Sequence, residues 1–392
     1  MTDDLAATDA LLQNAWSDFC DQLKEAGQLV FSHDGPANAQ NRAAGFEYLA
    51  RYIPQALDQR FNCYDTDHPQ LFWAQTPTSK SFGDNPDCTY LVGFVDGSRT
   101  YRLVGSRGTA KWVSLTVGPR DPSLYSVISN DDLITNWDGS FEVTLSAKKS
   151  TGNWMALQPG LNRIFIRQYF GSWHTEEPMH IRVECLDVED PPPPPTPEGV
   201  AHRLGDTIRW LREDSQMWSR WVSYYRQWPN QFIQGMPDFI GIDDQSRIAR
   251  QLSFCHWQVE PDQALLITVE PPECCYWNFE MNNEWMNSVD YRYRLSSING
   301  EQASLNPDGT VVIVLSHRDP GARNWLDAAG YTSGSIQQRW VESSDCPCPQ
   351  ARLVRLDEME AALPAGTPRI SAAERREQLR LRKVGVDRRF RT

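Results

Sequence analysis

The chain has no apolar run of the roughly 18 residues that a membrane-crossing helix requires, so no membrane insertion is expected. Its opening residues, MTDDLAATDALLQNAW, lack both a basic start and an apolar segment, and no secretory signal is read there. Basic charge is outnumbered: 38 Lys and Arg stand against 51 Asp and Glu, a formal net charge of −13 over 392 residues. An acidic body cannot displace counterions from phosphates, so no nucleic-acid partner is expected. Four familiar motifs are missing: the G-x-S-x-G elbow, the G-x-x-x-x-G-K-[ST] phosphate loop, the dinucleotide G-x-G-x-x-G and the zinc-binding H-E-x-x-H. No cofactor is therefore expected. The nine cysteines are odd in number and scattered, which reads as reduced thiols in a cytoplasmic protein. Cys274 and Cys275 are adjacent, so on a strand they point to opposite faces. Cys346-Pro-Cys348 lacks the two-residue gap of a zinc knuckle, and no metal is expected.

What the chain does have is aromatic side chains, with 15 Trp, 13 Tyr and 15 Phe. Sandwich cores and ligand clefts both use such rings. Residues 369–392 break the acidic balance: nine basic and three acidic residues give a surplus of six, leaving −19 on the body before them. That basic tail suits docking on an acidic surface, either its own or that of a second copy in a homo-oligomer.

Hydrophobic periodicity divides the chain. Residues 1–65 carry a helical period, with Leu11, Trp16, Phe19 and Leu23 on one face and Pro54 bending the second helix. From 66 to 188 the period is two. Asp96-Gly97 stands between alternating runs as a hairpin signal, and residues 89–118 read as two hairpins. Residues 189–200, centred on five prolines, read as an extended linker. Residues 201–235 form an aromatic-rich helical connector, 236–356 a second β domain, and 357–392 a helical basic tail in which Ser371 and Glu374 fit a capping box. The expected fold is mainly β with α: two antiparallel β-sandwich or jelly-roll-like domains, with helices at the N-terminus, between the domains and at the C-terminus. Nothing repeats at a short period, and whether the two β blocks are distant duplicates is left open.

Three constellations carry candidate chemistry. In SHRDPGARNWLDAAGY (316–331), His317 ends an apolar strand where a rigid scaffold can present an acid–base group. Asp319 would orient it, and Asn324 and Trp325 would contact ligand; the alternative is a well-made turn. In YWNFEMNNEWMNSVDYRYR (276–294), strand alternation puts Trp277, Phe279 and Met281 on one face and Asn278, Glu280 and Asn282 on the other. Asn283, Trp285, Asp290 and Tyr291 then crowd into a corner suited to a polar ligand with an apolar face. In RIFIRQYFGSWHTEEP (163–178), Arg163, Phe165, Arg167 and Tyr169 share a face, as an anion clamp or as cross-strand partners of acids.

The tract PPECCYWNFEMNNEWMNSVDYRYRLSSINGEQASLNPDGTVVIVLSHRDPGARNWLDAAGY resembles the bacterial domain-of-unknown-function family 1214. Upstream, NPDCTYLVGFVDGSRTYRLVGSRGTAKWVSLTV and NWMALQPGLNRIFIRQYFGSWHTEEP are similar to the first half of its longer members. The likeness covers most of residues 40–390 and implies a two-part, mostly antiparallel β protein; it implies no activity. Two positions depart from the family pattern, Cys88 and His174.

The functional expectation is a cytosolic, cofactor-independent hydrolase or lyase acting on a hydroxylated or glycosylated small molecule. His317 would be the general acid/base, with Asp319 or Asp290 as its partner, and Asn283, Trp285, Tyr291, Asn324, Trp325, Arg167 and Tyr169 would hold the substrate. The alternative is a non-catalytic module binding a carbohydrate or lipid-like ligand.

Overall fold

The structure, a computed structural model, describes residues 2–237 and 251–391; residues 238–250 of the expected second domain lie outside the described residues. Three helices open the chain: α1 (Thr2–Ala26), α2 (Leu29–Ser32) and α3 (Ala39–Leu57). The Asn38 side chain caps α3 by accepting the Asn41 amide. Pro54 sits inside α3, which runs on into a π-helical turn at Asp58–Asn62.

The first β domain has nine strands: β1 (Phe72–Gln75), β2 (Cys88–Asp96), β3 (Tyr101–Ser106), β4 (Trp112–Gly118), β5 (Ser126–Ser129), β6 (Ser140–Ser146), β7 (Trp154–Ala156), β8 (Leu161–Tyr169) and β9 (His180–Cys185). A five-stranded sheet in the order β1-β2-β8-β4-β5 faces a four-stranded sheet in the order β7-β6-β3-β9. Leu91, Val113, Leu115 and Ile166 of the first meet Leu103, Val143 and Leu145 of the second in one core. The hairpins expected over residues 89–118 do not form. β2 pairs with β1 and β8, whereas β3 pairs with β6 and β9. Asp96-Gly97 therefore carries the chain across the sandwich, because the β8, β6 and β9 partners of these strands come 34 to 84 residues later.

Helix α4 (Pro197–Tyr225) follows, capped by Thr196 with Pro197 in its first turn. The second β domain repeats the first: β10 (Phe232–Gln234), β11 (Leu252–Gln258), β12 (Gln263–Val269), β13 (Tyr276–Asn282), β14 (Ser297–Asn299), β15 (Val311–Ser316), β16 (Trp325–Asp327), β17 (Ser333–Val341) and β18 (Gln350–Arg355). Its sheets run β10-β11-β17-β13-β14 and β16-β15-β12-β18. Adding nine to every strand of the first domain gives the second, parallel pairs β6–β7 and β15–β16 included. The two blocks are thus internal duplicates. The short helix α5 (Met359–Ala362) and α6 (Ala372–Phe390) end the chain, and α6 carries the Ser371–Glu374 capping box.

The duplication extends to side chains. After β6, the Ser146 hydroxyl donates to the Lys148 carbonyl at 2.7 Å and accepts the Trp154 indole at 3.1 Å. After β15, Ser316 donates to the Arg318 carbonyl at 2.8 Å and accepts Trp325 at 3.1 Å. Asn153 ties Ile134 and Glu142 through its amide, as Asn324 ties Ser304 and Val312. Replacing either asparagine by alanine leaves the same three backbone groups unpaired. Each variant is expected to lose about 2 kcal/mol of stability in denaturant unfolding, and the two losses should match within about 1 kcal/mol.

Helix α6 is wedged against its own chain. Val386 enters the first-domain core. Arg375 holds Asp319 at 3.0 Å, and Arg382 donates to the Tyr291 carbonyl at 2.7 Å and to the Ser297 hydroxyl at 2.6 Å.

Candidate active site

The alternation read in residues 276–282 is realised: Trp277, Phe279 and Met281 enter the second core, and Asn278, Glu280 and Asn282 lie on the opposite face, yet all are buried. What buries the polar face is the loop between β1 and β2. Residues 80–88, KSFGDNPDC, pack across it although five of the nine are polar or charged. Gly83 makes this approach possible. Its φ is +62°, and a Cβ there would lie 1.7 Å from the Gln337 amide nitrogen. The Asn278 amide donates to Asn85 at 2.8 Å, and the Gly83 N–H donates to the Met286 carbonyl at 2.7 Å.

Three carboxylates are set into this seam. Asp87, fully buried, accepts the Trp173 indole at 2.6 Å, the Tyr276 hydroxyl at 2.7 Å and the Asn299 amide at 2.9 Å. Burial raises its pKa, while the Tyr276 bond and the charges of Arg382 and Arg389 oppose the rise. Glu280 is gripped by Arg339 at 2.6 Å; burial nevertheless pushes its carboxyl up to about 7. Asp84 accepts the Ser288 amide at 2.9 Å and its hydroxyl at 2.6 Å, and burial raises this carboxyl too.

Lys80 completes the cluster. Its amine, on a side chain buried to 2 % exposure, donates to the Ser288 carbonyl at 2.8 Å and to the Ser288 hydroxyl at 2.9 Å. It also lies 4.4 Å from the centre of the Tyr291 ring. Burial pushes the amine down to about 8, against the pull of Asp84. Lys80, Ser288 and Asp84 are therefore a hydrogen-bonded relay in which burial favours the uncharged forms at both ends.

The relay opens on a cleft of about 390 Å³, lined among others by Glu47, Arg51, Asn283, Asp290, Arg292 and Arg294. The corner that shapes it is strained: Met286 has φ +47°, and the Asn283 side chain accepts the Trp285 amide at 2.9 Å. This corner sets Ser288 between Lys80 and Asp84.

The residues singled out in the sequence are dispersed. Asn283 and Asp290 line the cleft, and Tyr291 lies under the Lys80 amine. Trp285 points the other way, into the helical layer. Its indole donates to Asn41, its ring lies tilted against His33 with centres 4.1 Å apart, and a Cβ on Gly45 would come within 2.5 Å of it. Asn324 and Trp325 belong to the duplicated corner. Arg167 lies over the Phe165 ring at 4.0 Å, and Tyr169 stacks on Tyr276 across the seam at 4.9 Å. His317 is bonded through Nε2 to the Val259 carbonyl at 2.9 Å, so that nitrogen carries the proton. Asp319 is taken by Arg375 and by the Gly321 amide. The structure does not bring His317, Asp290 and Asn324 to a common pocket. His317→Ala is expected to lose about 1 kcal/mol in denaturant unfolding, the worth of one hydrogen bond, with the fold unchanged by circular dichroism. Cys88 is buried, its thiol pushed up to about 12 by burial, and His174 is exposed. Neither lines the cleft.

A second polar cluster fastens the layers. Glu284 binds His256 at 3.0 Å, Arg226 of the segment after α4 at 2.9 Å, and Ser333; Arg226 reaches on to Asp34 at 2.8 Å. These donors overcome the effect of burial and hold Glu284 down at about 2. Among the described residues, no group of three or more His, Cys, Asp and Glu gathers as a metal site, and no helix is long and apolar enough to cross a membrane.

The family match agrees with the duplicated architecture. The family described as "Protein of unknown function (DUF1214)" matches twice, at residues 93–171 and 259–338. An uncharacterized protein from Burkholderia cenocepacia, known by crystal structure, is 32% identical with a TM-score of 0.83; the match covers 91% of this chain and 100% of that one. The VPA0106 protein of Vibrio parahaemolyticus is 11% identical with a TM-score of 0.45, over 79% of this chain and 98% of that one. No curated protein matches the chain.

Proposed function

This chain belongs to the DUF1214 family, and from that premise we propose that it is a cofactor-independent lyase or hydrolase acting on a small polar organic molecule in the Lys80 cleft. One observation carries the reading: a buried amine, joined through Ser288 to a buried carboxyl, lines a cleft large enough for a small ligand. Such an amine is a base near neutral pH, because its proton can rest on Asp84. Lys80 thus replaces His317 as the proposed acid/base group, with Asn283 and Asp290 retained as contacts for a hydroxylated substrate. The cytoplasm is the proposed compartment, in keeping with nine cysteines that form no disulfide. Packing of the basic helix on its own chain supports a role for that tail within the subunit rather than between subunits.

The test is a panel of small organic acids, sugars and glycosides followed by NMR. A compound consumed by the wild type should be left intact by Lys80→Met, and equal consumption by both would remove Lys80 from the chemistry. The second reading, a binding module, is favoured by the ties of Arg51 to Glu47 and of Arg294 to Asp327, which hold these cleft side chains in place before any ligand arrives. It expects ligands that raise the melting temperature and are never consumed.

A further inference from the structure

We propose that Lys80 acts as a nucleophile and that the cleft takes a small 2-oxo acid, held as an imine on the lysine. The inference rests on the proposed reading of the cleft and deepens it from proton transfer to covalent chemistry.

Three features point to this ligand. First, the amine is placed for attack. It is fixed by two bonds to one residue, Ser288, and lies over an aromatic face that stabilises a cation on the same nitrogen. Second, beside the Lys80 amine the cleft of an acidic chain is lined by three guanidinium groups, Arg51, Arg292 and Arg294, against two acids, Glu47 and Asp290. Arg294 meets Asp327 through Nη1 and Arg51 meets Glu47 through Nη2, so each anchored fork presents a fixed guanidinium on the cleft wall. A carboxylate is the group that such forks recognise. Third, a 2-oxo acid places a carbonyl directly beside its carboxylate, and the one cleft supplies both an amine and guanidinium groups.

The step balances without any further reagent. The neutral Lys80 amine forms a bond to the carbonyl carbon, and the C=O π pair moves to oxygen. One proton from the amine and one from Asp84, passed through the Ser288 hydroxyl, convert that oxygen to water, which leaves. The product is a protonated imine over Tyr291, facing the carboxylate left on Asp84. No oxidation or reduction occurs.

The experiment is reductive trapping of the full-length protein with sodium borohydride and pyruvate or 2-oxobutyrate, read by intact mass and peptide mapping. One adduct is expected, on the peptide carrying Lys80; the exposed Lys24, Lys148 and Lys149 serve as internal controls. Lys80→Met should carry none, and Arg294→Ala should raise the oxo-acid concentration for half-maximal trapping roughly tenfold. No adduct with either acid, or adducts spread evenly over the exposed lysines, would overturn the proposal. If trapping fails while Lys80→Met still stops turnover of a substrate from the panel, covalent chemistry falls and the base reading stands. If Lys80→Met leaves that turnover unchanged, the cleft reading itself falls. A Lys80→Arg variant, which keeps a long nitrogen-bearing side chain and cannot form the imine, must be adduct-free.

Discussion

Asp87→Ala is expected to lose about 3 to 5 kcal/mol of unfolding free energy. The carboxylate is fully buried and holds three donors. Trp173 belongs to the first domain, while Tyr276 and Asn299 belong to the second, so one side chain ties both halves. Alanine leaves an indole N–H, a hydroxyl and an amide buried without an acceptor, each costing about 1 to 3 kcal/mol where no water enters. Asn at this position keeps one acceptor and turns an NH2 toward a donor, so Asp87→Asn should fall between the wild type and alanine. Guanidinium unfolding followed by tryptophan fluorescence reads both. A loss under about 1 kcal/mol for Asp87→Ala would mean that the seam is held elsewhere.

Arg339→Met comes second, at about 3 to 5 kcal/mol near pH 8, because it strips a buried carboxylate of its partner. Glu280 sits mid-strand in β13 with no exposed surface, and its carboxyl stands at about 7 rather than 4.5. The folded pKa lies above the unfolded one, so between these values the folded protein keeps a proton that the unfolded chain releases. This contribution is complete below pH 4.5 and is lost as pH rises to 7, by up to about 3 kcal/mol. Glu280→Gln should therefore flatten the stability profile across that window. Without Arg339 the carboxyl takes its proton still more readily, so the Arg339→Met loss should be smaller at pH 5 than at pH 8. The double variant Arg339→Met/Glu280→Gln should recover most of it. Equal losses at both pH values would argue that Arg339 matters through packing and not through charge.

The fold was legible where the signal is local. Period two along Tyr276–Asn282 separated core from seam correctly, the apolar run Val311–Ser316 became a central strand, and Ser371–Glu374 marked the start of α6. Sequence similarity to the family's two-part members held as well. The errors lie where pairing is remote. Asp96-Gly97 has the chemistry of a hairpin turn, but its flanking strands are claimed by β8 and by β6 and β9. The relay was invisible for the same reason. Lys80 and Asp84 sit in a stretch from which no site was read, and Ser288, the residue that joins them, is 208 and 204 positions away. One signal was available: charged residues crowded into KSFGDNPDC between two apolar strands. His317, Asn324 and Trp325 drew attention because the tract is chemically rich. Much of that richness recurs after β6, where Ser146, Asn153 and Trp154 make the same bonds with alanine in place of the histidine.

The placement of α6 also bears on how the molecule is made. A ribosome delivers all nine strands of the first sandwich by residue 185, yet Val386 completes the core of that sandwich, and Arg389 lies 4.2 Å from the Trp173 ring. Nascent chains generally fold from the N-terminus, unit by unit. Here the first half to emerge waits some 200 residues for its last core contact, while the second half is synthesised. Helix α6 therefore acts as a latch that closes only after both sandwiches have been made, and a product truncated before it carries an open first sandwich whatever the state of the second.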